Sequence, residues 1–342
     1  DLVNRRGALV TKTIYLHIGM HKTGTTALQH LMTDNRDVFA RHNIYIPIKD
    51  MPNRRHHEIA KQFRYREQGN HDKIDHNILR SLIGEIEQAT QDTILLSSEN
   101  FSKLTDFTGL HDLLRKYECK VIVYLRRQDQ AVTSRYATHT RFMNRLTFED
   151  YLNKNLPTYM YSQLLKNLEK VFAKENLHVR TYDKAHFVNG DLLDDFLTIL
   201  DLADARSDFA IRSKLANTAL SIKQVEFLRR VNGTALPRPV KRLMSQRIAK
   251  APTLPHDHDI DQLFSTQAAS DFLATFAEDN DQIRRIYFPE REEGPLFDMT
   301  ITARDKITPH VDAQDVDCLL RFLKSVIDDP DLAGLSAEKL IG

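Results

Sequence analysis

An α/β fold with a parallel sheet of about five strands is predicted from three observations. Short runs rich in β-branched and aromatic residues recur at Thr13–Ile18, Asn43–Pro47, Thr93–Ser97, Lys120–Leu125 and Leu177–Tyr182. Segments with apolar residues at helical spacing separate most of them. Beyond about residue 205 the pattern turns almost wholly helical. Strands alternating with helices imply crossover connections and a parallel sheet. Residues 1–205 are therefore expected to form the α/β core. Residues 206–342 are expected to form a mainly helical C-terminal extension, packed on the same core on the acceptor side and not clearly independent.

The elements follow in order. The first strand runs into GMHKTGTT (19–26), and a helix is expected from about Thr25 to His42. After strand 43–47, residues 50–72 are polar and rich in His and Arg, which predicts a loop with at most a short helix. Ile74, Ile78, Leu79, Leu82, Ile83 and Ile86 share one helical face over 74–89. Strands 93–97 and 120–125 flank a helix near 109–117. Helices are then expected over 128–141, 159–174 and 191–202, and later near 217–232, 261–288 and 312–326.

Composition excludes several classes. With 41% hydrophobic and 28% charged residues among 342, the chain is neither disordered nor collagen-like. No apolar run approaches the roughly 18 residues that cross a bilayer. The N-terminal residues carry no apolar signal-peptide core, and Asp1 suggests a trimmed start. Two distant cysteines, Cys119 and Cys318, fit a reducing compartment, so a cytoplasmic location is expected. A net charge of +1 predicts no nucleic-acid partner. The charge is uneven, however: residues 212–250 hold ten Lys/Arg against one acid, Glu226, while 257–298 hold eleven acids against three arginines. Two mutually attracting solvated faces and a basic wall facing an anion remain open as readings.

The loop Gly19–Thr26 carries the chemistry. A strand that feeds a tight turn and opens a helix converges backbone N–H groups and the helix N-terminus on one anion. Gly24 permits close approach, and Lys22 adds an ammonium. The glycine spacing is that of the nucleoside-triphosphate P-loop, but Thr25 stands where that motif needs Lys. Strand 120–125 also ends in Arg126-Arg127 rather than in the acid that Mg²⁺-assisted phosphoryl transfer requires. Arg126 and Ser134, eight residues apart across a strand end and two helical turns, can converge on a second phosphate.

These residues resemble the sulfotransferase superfamily, whose donor is 3′-phosphoadenosine-5′-phosphosulfate (PAPS). HKTGTT (21–26) looks like its 5′-phosphosulfate loop, and R-x7-S-x-Y at Arg126, Ser134 and Tyr136 looks like its 3′-phosphate motif. HHEIA (56–60), LLSSENFS (95–102), VRTYD (179–183), GDLLDDFL (190–197), NTALS (217–221), EFLRRVN (226–232) and RRIYF (284–288) are similar to the bacterial carbohydrate-type branch. The resemblance implies a P-loop-type core. It also implies Lys22, Thr23, Gly24, Thr25 and Thr26 on the 5′-phosphosulfate, Arg126 and Ser134 on the 3′-phosphate, and Tyr182 near the adenine. The product would be adenosine 3′,5′-bisphosphate (PAP), with a hydroxyl acceptor, expected to be a carbohydrate, and no metal. Peripheral membrane contact and oligomeric state stay open.

For the base that deprotonates the acceptor, two residues compete. Glu99 follows strand 93–97, at the carboxyl edge where open α/β sheets bind ligands. His57 lies after strand 43–47 and has the better intrinsic pKa for a base near neutrality. Glu99 ranks first, His57 second, and His56 or Asp50 behind them. Lys22 is positioned for the cationic role. The segment His256–Asp261 has no distinctive ligand spacing and reads as an acidic loop rather than a metal site. The rival functions are a small-molecule or nucleotide kinase and a non-catalytic nucleotide-binding protein of the same fold.

Overall fold

The computed structural model describes residues 12–47, 56–211, 219–251, 254–291 and 293–326. Asp1, Asp50, Arg212, Lys214 and the start of the NTALS segment lie outside the described residues. The chain divides into two compact units. One holds Asp1–Arg126, Tyr161–Lys214 and Asp279–Asp298; the other holds Arg127–Met160, Leu215–Glu278 and Met299–Gly342.

The first unit carries the expected sheet. Its strands are β1 (Thr13–Gly19), β2 (Ile44–Tyr45), β3 (Thr93–Ser97), β4 (Glu118–Leu125) and β5 (Leu177–Thr181). All pair in parallel, in the order β2-β3-β1-β4-β5. Every residue of β1 from Ile14 to Gly19 is buried, as expected of a central strand covered on both faces. β1 is flanked by β3 on one side and β4 on the other, so the chain reverses its direction of progress across the sheet beside β1. The carboxyl ends of β1, β3 and β4 thus lie together at the switch point where such sheets hold ligands.

Helices α1 (Thr25–Asp34), α2 (Arg36–Arg41), α3 (His57–Glu67), α4 (His76–Gln88) and α5 (Thr108–Leu114) connect the first four strands. One core cluster joins Tyr15, Leu95, Ile122 and Tyr124 of the sheet to Leu28, Leu31 and Met32 of α1. The helix expected over 25–42 is two helices. At the break, Asn35 Nδ2 donates to the carbonyls of Leu31 and Ala210, both at 2.9 Å, and its Oδ1 accepts from Ala210 N–H. A side chain that competes for backbone partners, reinforced by a distant segment, outweighs helical periodicity here. The polar stretch expected as a loop contains the 11-residue α3.

The second unit begins with α6 (Gln128–Arg141) and α7 (Phe148–Asn155). The chain returns to the first unit for α8 (Tyr161–Glu169) and α9 (Leu192–Ile199). α10 (Ile222–Gly233), α11 (Arg238–Ile248) and α12 (Thr266–Ala274) follow, then α13 (Ala277–Tyr287) and finally α14 (Ala313–Val326). The span 261–288, expected as one helix, is divided between α12 and α13. Helices α7 and α11 were not expected. α11 starts between Pro237 and Pro239, because Pro is tolerated at a helix's first positions. α7 opens on Thr147, whose hydroxyl accepts from Asp150 N–H.

Much of the basic segment serves packing. Lys241 is buried and donates to the Asn232 and Thr234 carbonyls at 3.1 and 2.6 Å, closing the end of α10. The buried Glu226 binds Arg229 and Arg230 at 2.7 and 2.8 Å, and Lys223 pairs with Asp315 at 2.9 Å. Arg238, Arg242, Arg247 and Lys250 are exposed. In 256–261, Asp257 accepts from Lys223 N–H and Asp261 from the Thr133 hydroxyl. Among the described residues, no group of three or more His, Cys, Asp or Glu is arranged to hold a metal ion, and no helix is long and apolar enough to cross a membrane. Cys119 and Cys318 are free thiols, the former buried.

Candidate active site

Three neighbouring strand ends build the site. β1 runs into a turn in which Lys22 and Gly24 both take left-handed backbone, at φ 69° and 72°. The Thr23 hydroxyl, fully buried, donates to Met20 O at 2.7 Å and braces this turn. Gly24 then opens α1, its carbonyl accepting from Ala27 and Leu28. At a helix start the leading amides point along the axis and out of the N-terminus, toward where an anion can be met. Position 24 favours glycine. Besides the positive φ, a Cβ there would collide with the Leu192 side chain and lie 3.2 Å from the Tyr182 ring. Lys22 is exposed, Thr25 buried and Thr26 half-buried.

Tyr182, expected near the adenine, thus lies against Gly24 of the loop. It follows β5, and its N–H donates to Leu125 O at 2.6 Å. Arg126, at the end of β4, carries its guanidinium 5.5 Å from the centre of that ring, and its Nη1 donates to the Lys22 carbonyl at 2.9 Å. The Tyr161 hydroxyl donates to the Arg126 carbonyl at 2.7 Å. Arg126 therefore also braces the loop, a contact that motif spacing does not reveal. Its neighbour Arg127 is buried and structural, with its fork on Asp129 at 2.8 and 3.1 Å. Ser134 belongs to the second unit, half-buried on α6, where its carbonyl accepts from the Thr138 hydroxyl at 3.0 Å.

The third strand end supplies the acid. Glu99 lies two residues past β3, so close under the loop that a Cβ on Gly19 would fall 3.0 Å from Glu99 Cβ. Its Oε2 accepts from Gln29 Nε2 at 3.1 Å, and its Oε1 lies 3.6 Å from Nε2 of His57. His57 opens α3, and its Nδ1 is 2.6 Å from the Ser98 hydroxyl. The two rival base candidates are neighbours in one cluster. Gln29 and Ser98 were not singled out from the sequence. Gln29 sits one helical turn beyond Thr25, which is the one signal that pointed to it.

His56 has a different role. Its Nδ1 accepts from Ser97 N–H at 3.0 Å, and its Nε2 faces the Pro47 carbonyl at 3.2 Å. Burial pushes it down to about 4, and burial does the same to His17, whose Nδ1 lies 2.8 Å from the Ser97 hydroxyl. Both rings stay neutral in the folded chain down to about pH 4 but protonate near 6.5 when unfolded. The unfolded chain thus binds more protons between those values. Their contribution to stability is complete above about pH 6.5 and is lost as pH falls toward 4, at up to about 1 kcal/mol per pH unit for each ring. Urea midpoints measured from pH 7.5 to 5 should fall accordingly. His56→Gln should be less stable at pH 7.5 and show a shallower fall; an unchanged slope would contradict the assignment.

An uncharacterized protein of Archaeoglobus fulgidus is 26% identical over 212 residues, 61% of this chain and 57% of its own length. The chain therefore spans less than two thirds of that relative. The crystal structure of a sulfotransferase from Alicyclobacillus acidocaldarius aligns with 80% of this chain and 95% of its own at 16% identity, with a TM-score of 0.38. The sulfotransferase domain model matches residues 13–186, which take in the whole parallel sheet and half of the chain. By that match, this chain belongs to the sulfotransferase domain family.

Proposed function

We propose that this protein transfers a sulfuryl group from PAPS to a hydroxyl group, with a carbohydrate as the acceptor class. One observation carries the reading: adjacent ends of β1, β4 and β3 bring the Lys22 loop, Arg126 and Glu99 to one edge of the sheet. The loop suits an anionic group, since Lys22 stands two residues before the opening of α1, where a helix start favours negative charge. The donor contributes an activated sulfuryl group, whose sulfur–oxygen bond to the 5′-phosphate breaks as the acceptor oxygen bonds to sulfur. Glu99 takes the proton of the acceptor hydroxyl on a carboxylate oxygen, which Gln29 and His57 keep oriented. Lys22 and the amides opening α1 stabilise the charge left on the departing phosphate. The family resemblance assigns Arg126 and, separately, Ser134 to the 3′-phosphate.

Thermal unfolding tests this reading. PAP should raise the melting temperature by several degrees without Mg²⁺, since a ligand selective for the native state stabilises it. ATP should do so far less. Ser134→Ala should weaken PAP but leave adenosine 5′-phosphosulfate, which lacks the 3′-phosphate, unaffected. Equal stabilisation by Mg-ATP would favour a kinase. PAP binding without sulfation of any sugar in a broad acceptor screen would favour a non-catalytic nucleotide binder.

A further inference from the structure

Ser98 is fully buried directly after β3, between the two base candidates. Its backbone N–H donates to His17 O at 3.0 Å, which fixes its place at the strand end. Among the described residues, two groups lie within hydrogen-bond distance of its hydroxyl: Asn100 N–H at 3.2 Å and His57 Nδ1 at 2.6 Å. A backbone N–H only donates, so the Ser98 oxygen accepts from Asn100. The hydroxyl proton then has one acceptor, the Nδ1 lone pair of His57. Were Nδ1 to carry a hydrogen instead, Ser98 would accept twice, and its own buried proton would have no acceptor among the described residues. That arrangement leaves a buried donor unsatisfied, which is the more costly of the two.

We propose that Ser98 is a positioning residue that fixes neutral His57 as the Nε2–H tautomer, an inference that rests on Glu99 being the base. Which imidazole nitrogen holds the proton is set by the hydrogen bond that the other one makes. The consequence falls on Glu99. Nε2 faces Oε1 at 3.6 Å, beyond hydrogen-bond length, so an N–H there acts as a dipole aimed at the carboxylate. With Gln29 donating to Oε2, both oxygens are addressed by N–H groups and the carboxylate is held in one orientation. The same tautomer leaves no lone pair at Nε2, so His57 orients Glu99 rather than competing with it for the acceptor's proton.

Long-range ¹H–¹⁵N correlation spectra of histidine-labelled protein read the tautomer directly, with His57→Gln used to assign the signals. At a pH where His57 is neutral, Nδ1 should resonate as a pyridine-type nitrogen and Nε2 as a pyrrole-type one. Ser98→Ala should shift His57 toward the Nδ1–H form or a mixture of the two, and Ser98→Thr, which keeps the hydroxyl, should restore the original pattern. A purely structural serine would leave the tautomer unmoved. Wild-type protein carrying its proton on Nδ1 overturns the proposal even if neither variant folds, as does Ser98→Ala with an unchanged spectrum. The reading of Glu99 as base fails separately, on the turnover of Glu99→Gln, whatever the spectrum shows.

Discussion

Glu99→Gln should lower turnover by roughly 10²–10⁴-fold, the usual contribution of a positioned general base, while affinity for PAP stays near that of the parent protein. Glutamine keeps the shape of the side chain and can still accept from Gln29 Nε2, now 3.1 Å from the carboxylate. It cannot take a proton. Glu99 meets α1 and His57 at its oxygens, while Gly19 of the loop lies against its Cα and Cβ. Donor affinity by calorimetry and turnover with a sugar acceptor found by screening separate the two effects. His57→Ala should cost less, and mainly in acceptor KM. A Glu99→Gln variant with near-normal turnover beside an inactive His57→Ala variant with intact donor affinity would reverse the roles. Activity in both would move proton removal to another group, and the engagement of both His56 nitrogens with backbone makes His56 a poor candidate.

Lys22→Ala should lose both donor affinity and turnover, because in the proposed reaction its ammonium would meet the phosphosulfate in the ground state and the departing phosphate in the transition state. A lost charge-assisted bond weakens binding by about 1.5–3 kcal/mol, on the order of 10- to 100-fold, and turnover should fall further because charge grows on the leaving group. The backbone at Lys22 has positive φ and its carbonyl is held by Arg126, so Lys22→Met, which keeps the length of the side chain, is the control for loop geometry. A variant with reduced affinity and unchanged turnover would restrict Lys22 to donor binding. The Arg126 contact also changes what Arg126→Ala reports. That variant should weaken PAP and adenosine 5′-phosphosulfate together, because it loosens the loop as well as removing a phosphate donor.

The local elements were legible in the sequence where one short stretch decides its own conformation. β3 spans Thr93–Ser97 and α6 spans Gln128–Arg141, as periodicity and apolar runs imply, because their partners lie within the same run or are any apolar surface at all. The Gly19–Thr26 loop was legible for the same reason. Its glycine spacing and Lys22 describe one turn, and the positive φ at Gly24 is a local demand that glycine alone meets cheaply. Other features depended on residues far apart in the chain. Asn35 divides a periodic helix because the backbone at Ala210 reaches it. Gln29 meets Glu99 across 70 residues, and His57 meets Ser98 across 41. The parallel order β2-β3-β1 sets those meetings, since it brings the ends of strands distant in sequence side by side. Composition and spacing could identify Glu99 and His57 as chemically able bases. That they form one cluster, with a serine hydroxyl on one ring nitrogen of His57 and a carboxylate facing the other, was decided only when the tertiary fold closed those long loops.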